Sequence, residues 1–341
     1  YGPDISFPVG IASWWTDMAI VLILSAGPVG GRVAVIVSGL FLAVPCFIPS
    51  SPLFRAVLMC VMFMPFFAAA ALLLAPPIVE FRARLGFLCS LGGTHEVKRR
   101  ARKCDLALLL QLVLATIVLA TALAIVNAVP EVGLWLPVRW FAGGIAILAF
   151  AEMATAGVPF VSSIFGVTVP PLMRSPYQST SIGEFWTRRW NFLASEVVFH
   201  PYCFAPLARH GTVLALFAVF ALSAVGHALL AFMALGRWRI SLICGAFFLV
   251  QPLFIIAERR LAVRRWPPAA GWTWTWTVLM ITSPLFVETV IQVIKNSWGK
   301  PESVLPPTLV VLVFVMVFSG SFSIASLVAC SGGSNRKAAV V

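Results

Sequence analysis

Residues 106–129 read LALLLQLVLATIVLATALAIVNAV. The run holds no charged side chain, and a helix needs about 20 such residues to cross the hydrocarbon core of a bilayer. It is continuous, without the alternation of a lipid-facing barrel strand. Working outward, further apolar runs lie at about 11–26, 33–48, 53–77, 140–158, 211–235, 239–257, 272–293 and 305–330. Together they make nine, and because the first two are short the expected range is eight to ten. The composition agrees. The chain is 60% apolar and 11% charged, against about 25% charged in an ordinary soluble domain, and its mean hydropathy is +0.98. A cytosolic enzyme, a disordered chain and a secreted disulfide scaffold are excluded. The expected fold class is all-α: a single membrane-embedded domain over 1–341, built as a polytopic bundle of about nine transmembrane helices.

The charged residues fall between these runs. Lysine and arginine number 24 and acidic residues 12, a net charge of +12. The basic groups cluster at 80–105, where Lys98-Arg-Arg-Ala-Arg-Lys103 is densest, at 174–209, at 258–265 and in the tail at Arg336 and Lys337. With nine spans all four clusters share one side, which the positive-inside rule makes cytosolic. The N-terminus is then outside, and Arg237 and Arg239 fall on the wrong side. Such clusters point to orientation and to anionic lipid or substrate, not to nucleic acid. No basic n-region precedes the first apolar run, so no cleavable signal peptide is expected. The seven cysteines form no C-x-x-C pair and suggest neither a disulfide framework nor a zinc site.

The longest stretch between spans, about 160–209, is where function is sought. Ser181-Ile-Gly-Glu184 fits a capping box. It predicts a helix over about 182–198, lying in the membrane interface. At 100° per residue Ile182, Phe185, Trp186, Trp190, Leu193 and Val197 share one face, and Glu184, Thr187, Arg188, Asn191 and Ser195 the other.

Several chemistries are absent. The four histidines, His95, His200, His210 and His227, include no pair at the close spacing of a membrane di-iron site. There is no P-loop and no G-x-S-x-G elbow. His227 stands well inside the run Leu222-Ser-Ala-Val-Gly-His-Ala-Leu-Leu230. An ionisable group there is costly and marks a functional position by default, and imidazole suits a general base near neutral pH. The alternative is a buried histidine satisfied by Ser223, one turn earlier, while Gly226 leaves room beside it. Asn191 can donate to a developing oxyanion or simply belong to a solvated face. Arg188 and Arg189 can grip phosphates or sit at the headgroups. The 98–103 run reads first as a topology signal. Glu152 and Glu288 lie within apolar runs, as proton-path groups or as packing residues.

The segment Ser181-Ile-Gly-Glu-Phe-Trp-Thr-Arg-Arg-Trp-Asn191, followed by a span bearing His227, resembles the wax-synthase-like branch of the membrane-bound O-acyltransferases. Pro201-Tyr-Cys-Phe-Ala-Pro206, Phe247-Phe-Leu-Val-Gln251 leading to Glu258-Arg-Arg-Leu261, and Trp274-Thr-Trp-Thr277 before Ser283-Pro-Leu-Phe286 agree with it. The resemblance covers about 175–290 and is only one of hydropathy over the first 130 residues. Ala228 stands where many relatives carry an acidic residue, and Glu184 and Thr187 where the plant-like motif often reads Asp and Gly. The resemblance implies transfer of a fatty acyl group from acyl-CoA, as co-substrate, to the hydroxyl of a lipophilic alcohol. His227 would be the general base, Asn191 its catalytic partner, and Arg188 and Arg189 the holders of the CoA phosphates. No metal or further cofactor is implied. The acceptor would be a long-chain alcohol, giving a wax ester, or a sterol or terpenoid alcohol. The membrane would be the endoplasmic reticulum in a eukaryote or the inner membrane in a bacterium. The rival reading is a transporter in which His227, Glu152 and Glu288 line a path.

Overall fold

The computed structural model describes residues 6–25, 27–48, 51–74, 98–99, 105–168, 171–191 and 195–298. Nine principal helices run through them: α1 (Ser6–Leu24), α2 (Pro28–Phe41), α3 (Pro52–Leu74), α4 (Leu106–Ala128), α5 (Leu136–Ile164), α6 (Thr212–Leu235), α7 (Trp238–Leu261), α8 (Pro268–Thr282) and α9 (Pro284–Trp298). The fold is an α-helical membrane bundle. Five segments are long and apolar enough to cross a bilayer: Val29–Phe47, Leu106–Ala128, Gly133–Ile164, Thr212–Leu235 and Trp238–Leu261. A sixth is counted if α8 and α9 form one bent span. In α1 and α3 the qualifying apolar stretches, Ala12–Leu24 and Pro52–Phe67, are shorter. The run expected at 305–330 lies outside the described residues, as does most of the basic segment 80–105.

Helices that face lipid on one side and protein on the other need no polar face. α4 buries Leu112, Ala115, Leu119, Ala122, Leu123 and Val126 at helical spacing, while Leu110, Leu114, Ile117 and Val118 on its other side are exposed. It packs on α5, whose contact face is Ala146, Ala149, Met153, Ala156 and Phe160. The alanines let the two backbones approach, which is how helices associate where burial from water gives no drive. α6 and α7 form a second hairpin, turned by Gly236 at φ 66°, a left-handed cap that glycine adopts without strain.

The predicted continuous span 272–293 is bent by 56° between α8 and α9. Pro284 has no N–H to give to the carbonyl of Met280, and the Ser283 hydroxyl donates to that carbonyl instead, at 2.9 Å. At the far end of α9, Lys295 pairs with Glu131 before α5. Glu131 also lies 3.5 Å from Arg139, which is 1% exposed.

The described basic segments gather at one end. Lys98–Arg99 pairs antiparallel with Val167–Thr168, just past α5. These two-residue strands are the only sheet among the described residues. The 171–191 segment lies across the same end and is fastened to the termini of α7 and α8.

Candidate active site

Ser181 caps the short helix Ile182–Glu184, its hydroxyl accepting from the Glu184 N–H at 2.9 Å. Glu184 reaches back, as expected of a capping box, but one residue further: its carboxylate accepts from the Thr180 N–H at 2.9 Å and the Thr180 hydroxyl at 3.0 Å. A second carboxylate completes the helix start. Glu258, near the end of α7, accepts from the backbone N–H groups of Ile182 and Gly183 and from the Trp274 indole N–H. The first N–H groups of a helix have no partner within it, and a carboxylate there also meets the positive end of its dipole. Sequence reasoning quoted Glu258 only as part of a motif. The available signal was an acid closing an apolar span.

The helix does not continue to 198. Phe185–Arg189 is a π-helical turn, closed by Trp190 N–H to Phe185 C=O at 2.8 Å. Trp190 is then extended, and Asn191 turns the chain with φ at 38°. Asparagine tolerates this left-handed region better than most residues. Residues 192–194 lie outside the described residues, and Ser195–Phe204 is again π-helical, with Pro201 inside it. The expected polar stripe is therefore interrupted between Arg188 and Asn191.

The tryptophan side meets the bundle. Ile182 and Phe185 are buried, and Trp186 and Trp190 pack in one cluster with Phe220, Phe247 and Phe248. The Trp186 indole donates to the Gln251 amide oxygen at 3.2 Å. Gln251 is fully buried, and its own amide donates to the Phe247 carbonyl and the Thr282 hydroxyl. Arg189, a candidate for the CoA phosphates or the headgroups, instead folds back. It binds Glu184 at 2.6 Å and donates to the carbonyls of Arg174 and Ser175. Partial burial alone would raise the Glu184 carboxyl. The Thr180 N–H, the Arg189 guanidinium and the Thr180 hydroxyl outweigh it and hold the group below the usual carboxylate value. Arg188 is exposed. The Asn191 N–H donates to the Met173 sulfur at 2.8 Å.

His227 sits on α6, with its Nδ1 2.8 Å from the Ser223 carbonyl oxygen and 3.4 Å from the Ser223 hydroxyl. Phe248 of α7 stacks on the imidazole at 3.9 Å between centroids, and Phe286 of α9 meets it edge-on at 5.8 Å. Gly245 gives the close approach here. A Cβ on it would lie 3.1 Å from the Ala224 carbonyl oxygen. Beside Gly226 the nearest neighbour of such a Cβ, on Phe63, is at an ordinary 3.9 Å. Asn191 and His227 are joined by a chain of rings: Trp190, Trp186, Phe248 and the imidazole.

Glu152 and Glu288 are engaged elsewhere. Glu152 accepts from Gln111 at 2.9 Å. Glu288 accepts from Trp140 and Gln292. Among the described residues no cluster of His, Cys, Asp or Glu has the grouping of a metal site.

Residues 169–250, which contain both Asn191 and His227, match the family model described as the membrane bound O-acyl transferase family. This segment is similar to the membrane-bound O-acyltransferases. The chain is 30% identical over 156 residues, 40% of its length, to an Arabidopsis thaliana protein named probable long-chain-alcohol O-fatty-acyltransferase 7, covering 44% of it. It is 28% identical over 136 residues, 36% of its length, to acyl-CoA–sterol O-acyltransferase 1 of the same plant, covering 39% of that protein. The chain thus matches less than half of the length of these relatives. The matched segment ends just before Gln251, so the whole ring chain lies within it, while Glu258 and the α8 tryptophans lie beyond.

Proposed function

We propose that the protein is an acyl-CoA-dependent O-acyltransferase that moves a fatty acyl group to the hydroxyl of a lipophilic alcohol. The observation that carries this reading is the 2.8 Å separation of His227 Nδ1 from the Ser223 carbonyl oxygen, an atom that can only accept. With the Nδ1 proton given to the Ser223 carbonyl, the neutral ring keeps its lone pair on Nε2. That atom is the base. It takes the alcohol proton as the oxygen attacks the thioester carbon, and it returns the proton to the departing CoA sulfur as the tetrahedral intermediate collapses. The apolar rings around the imidazole exclude water that would otherwise hydrolyse the thioester. Asn191 is assigned to orient the acyl carbonyl or to donate to its oxyanion. Arg188 is assigned to the CoA phosphates. Arg189, bound to Glu184 and two carbonyls, is assigned mainly to shaping the segment that carries both.

The preferred acceptor is a long-chain alcohol, giving a wax ester. A sterol is the second reading, supported by the sterol-acylating relative. The membrane is proposed to be the endoplasmic reticulum in a eukaryotic cell, or the inner membrane in a bacterial one. The test is lipid mass spectrometry after expression in a host without neutral-lipid synthesis, fed fatty alcohols and sterols separately. A new ester that needs His227 supports the reading. Substrate flux without a new covalent product would instead make the protein a transporter.

A further inference from the structure

We propose that Gln251 is a positioning residue for acyl transfer, whose hydrogen bonds hold the segment bearing Asn191 in register with the His227 imidazole. The inference rests on the transferase reading and adds to it a residue that acts through others. Gln251 lies inside α7, an apolar spanning helix, and is fully buried. An amide in such a place costs free energy unless its polar atoms are paired, and a leucine would fill similar space without that cost.

The two ends of the amide are paired in opposite senses. Its oxygen accepts from the Trp186 indole N–H at 3.2 Å, and its nitrogen donates to the Phe247 carbonyl at 3.1 Å and to the Thr282 hydroxyl at 3.3 Å. An indole N–H can only donate and a carbonyl can only accept, so the amide has one orientation. The Thr282 hydroxyl gives its own proton to the carbonyls of Val278 and Leu279, which leaves its oxygen to accept. A carboxylate would have no proton for Thr282, and a lysine no acceptor for the indole. A neutral amide is the side chain that joins the 182–191 segment, α7 and α8 at this point.

Both rings that hold the imidazole are tied to this junction. Trp186, two residues before Arg188 and five before Asn191, packs on Phe248 at 5.8 Å between centroids, and Phe248 stacks on His227 at 3.9 Å. Thr282 ends α8 at the bend. Four residues on, Phe286 meets the same imidazole edge-on and stacks on Phe247. Apolar contact is non-directional. The amide supplies the direction, fixing the indole to α7 and α8 at once. His227 and Asn191 come from different elements, and a misplacement of about 1 Å between reacting groups can cost about 10²-fold in rate.

The test uses the full chain, purified, with palmitoyl-CoA and a long-chain alcohol or a sterol. Gln251→Leu removes the amide, Trp186→Phe removes the indole donor and keeps a ring, and the double variant combines them. Leu119→Ala, in the α4–α5 core, serves as a control for lost stability alone. Each single variant at the junction is expected to lower kcat about tenfold or more, to leave KM for acyl-CoA within about twofold, and to raise the share of acyl-CoA hydrolysed instead of transferred. The double variant should be little worse than the poorer single, because both break one link. The control should lower the melting temperature and leave the ratio of transfer to hydrolysis unchanged. A wild-type kcat and ratio in Gln251→Leu would overturn the proposal, and so would losses that multiply independently in the double variant. If Gln251→Leu does not fold, Trp186→Phe and Thr282→Val, each removing one bond of the amide, decide in its place, and wild-type behaviour of both overturns it. A second readout needs no turnover: carbethoxylation of His227 by diethyl pyrocarbonate, followed by mass spectrometry, should quicken in the junction variants and not in the control. A wild-type protein that forms no ester would count against the transferase reading. The carbethoxylation rates would then decide whether Gln251 positions the imidazole, with unchanged rates overturning it.

Discussion

Three polar side chains hold the geometry of the candidate active site, and each can be tested singly. His227→Ala is expected to lower acyl transfer by about 10²–10⁴-fold, the usual loss on removing a general base, with the purified protein still monodisperse and helical. Turnover like that of wild type would end the proposed mechanism. Asn191 combines a backbone task with a proposed chemical one, and two substitutions separate them. Glycine accepts the positive φ freely, whereas alanine is strained there. If the amide acts on the thioester, both Asn191→Gly and Asn191→Ala should lose about 10²-fold or more in rate. If only the turn matters, glycine should retain activity and alanine should not. Glu258→Ala strips the Ile182 and Gly183 N–H groups of their acceptor, at a cost of about 1–3 kcal/mol for each group left buried and unpaired. Thermal melting in detergent should show a clear drop, with Glu258→Gln between the two.

At the scale of elements, the sequence is most readable where the pattern is long and uniform. Continuous apolar runs at 106–129, 211–235 and 239–257 became α4, α6 and α7 to within a few residues, because a lipid-facing helix needs only length and hydrophobicity. The capping box at Ser181 was legible for the same local reason. The course of the chain after Glu184 was not. Helical spacing from 182 to 198 was real, but the π turn and the reversal at Asn191 answer to contacts from distant elements: Gln251 on Trp186, Met173 on the Asn191 N–H, Arg174 and Ser175 on Arg189. Two further tests belong here. Gly271 lets α8 lie against the 171–181 segment, since a Cβ on it would stand 2.5 Å from the Thr180 carbonyl oxygen. Gly271→Ala should destabilise by about 1–3 kcal/mol, as overpacking does, and should expose this segment to proteolysis. The Glu184–Arg189 pair gives the segment a pH dependence. The Glu184 carboxyl titrates lower in the fold than its unfolded value of about 4.3. Its contribution is therefore present above that unfolded value and lost as pH falls through the folded one. Hydrogen exchange over 174–190 should quicken in that acidic window, and Arg189→Ala should flatten the response.

At the scale of the molecule, the basic clusters gave a workable map of the two ends, and the structure unites the described ones. Lys98–Arg99 joins the end of α5, and the 171–191 segment joins the ends of α7 and α8. Single cysteines placed at Arg99 and Arg260 should both resist an impermeant thiol reagent applied outside intact cells, in a background cleared of accessible native cysteines. Labelling of either would reverse the orientation. What the clusters could not convey is the bend at Ser283–Pro284 or the buried Arg139 beside Glu131, since both depend on which helices become neighbours.

The position of His227 along α6 has a consequence for how the two products would part. It lies fifteen residues from Thr212 at the basic end but only eight from Leu235, or about 22 Å against about 12 Å of helix rise. In the proposed reaction the CoA nucleotide stays in water at the basic face while its flexible arm carries the thioester inward over that longer distance. After transfer, the shortened arm has no greasy tail to hold it and withdraws the way it came. The ester has no polar head and leaves sideways into the hydrocarbon. Cytosol and bilayer would each draw off one product, so that the depth of a single imidazole gives the catalytic cycle its direction.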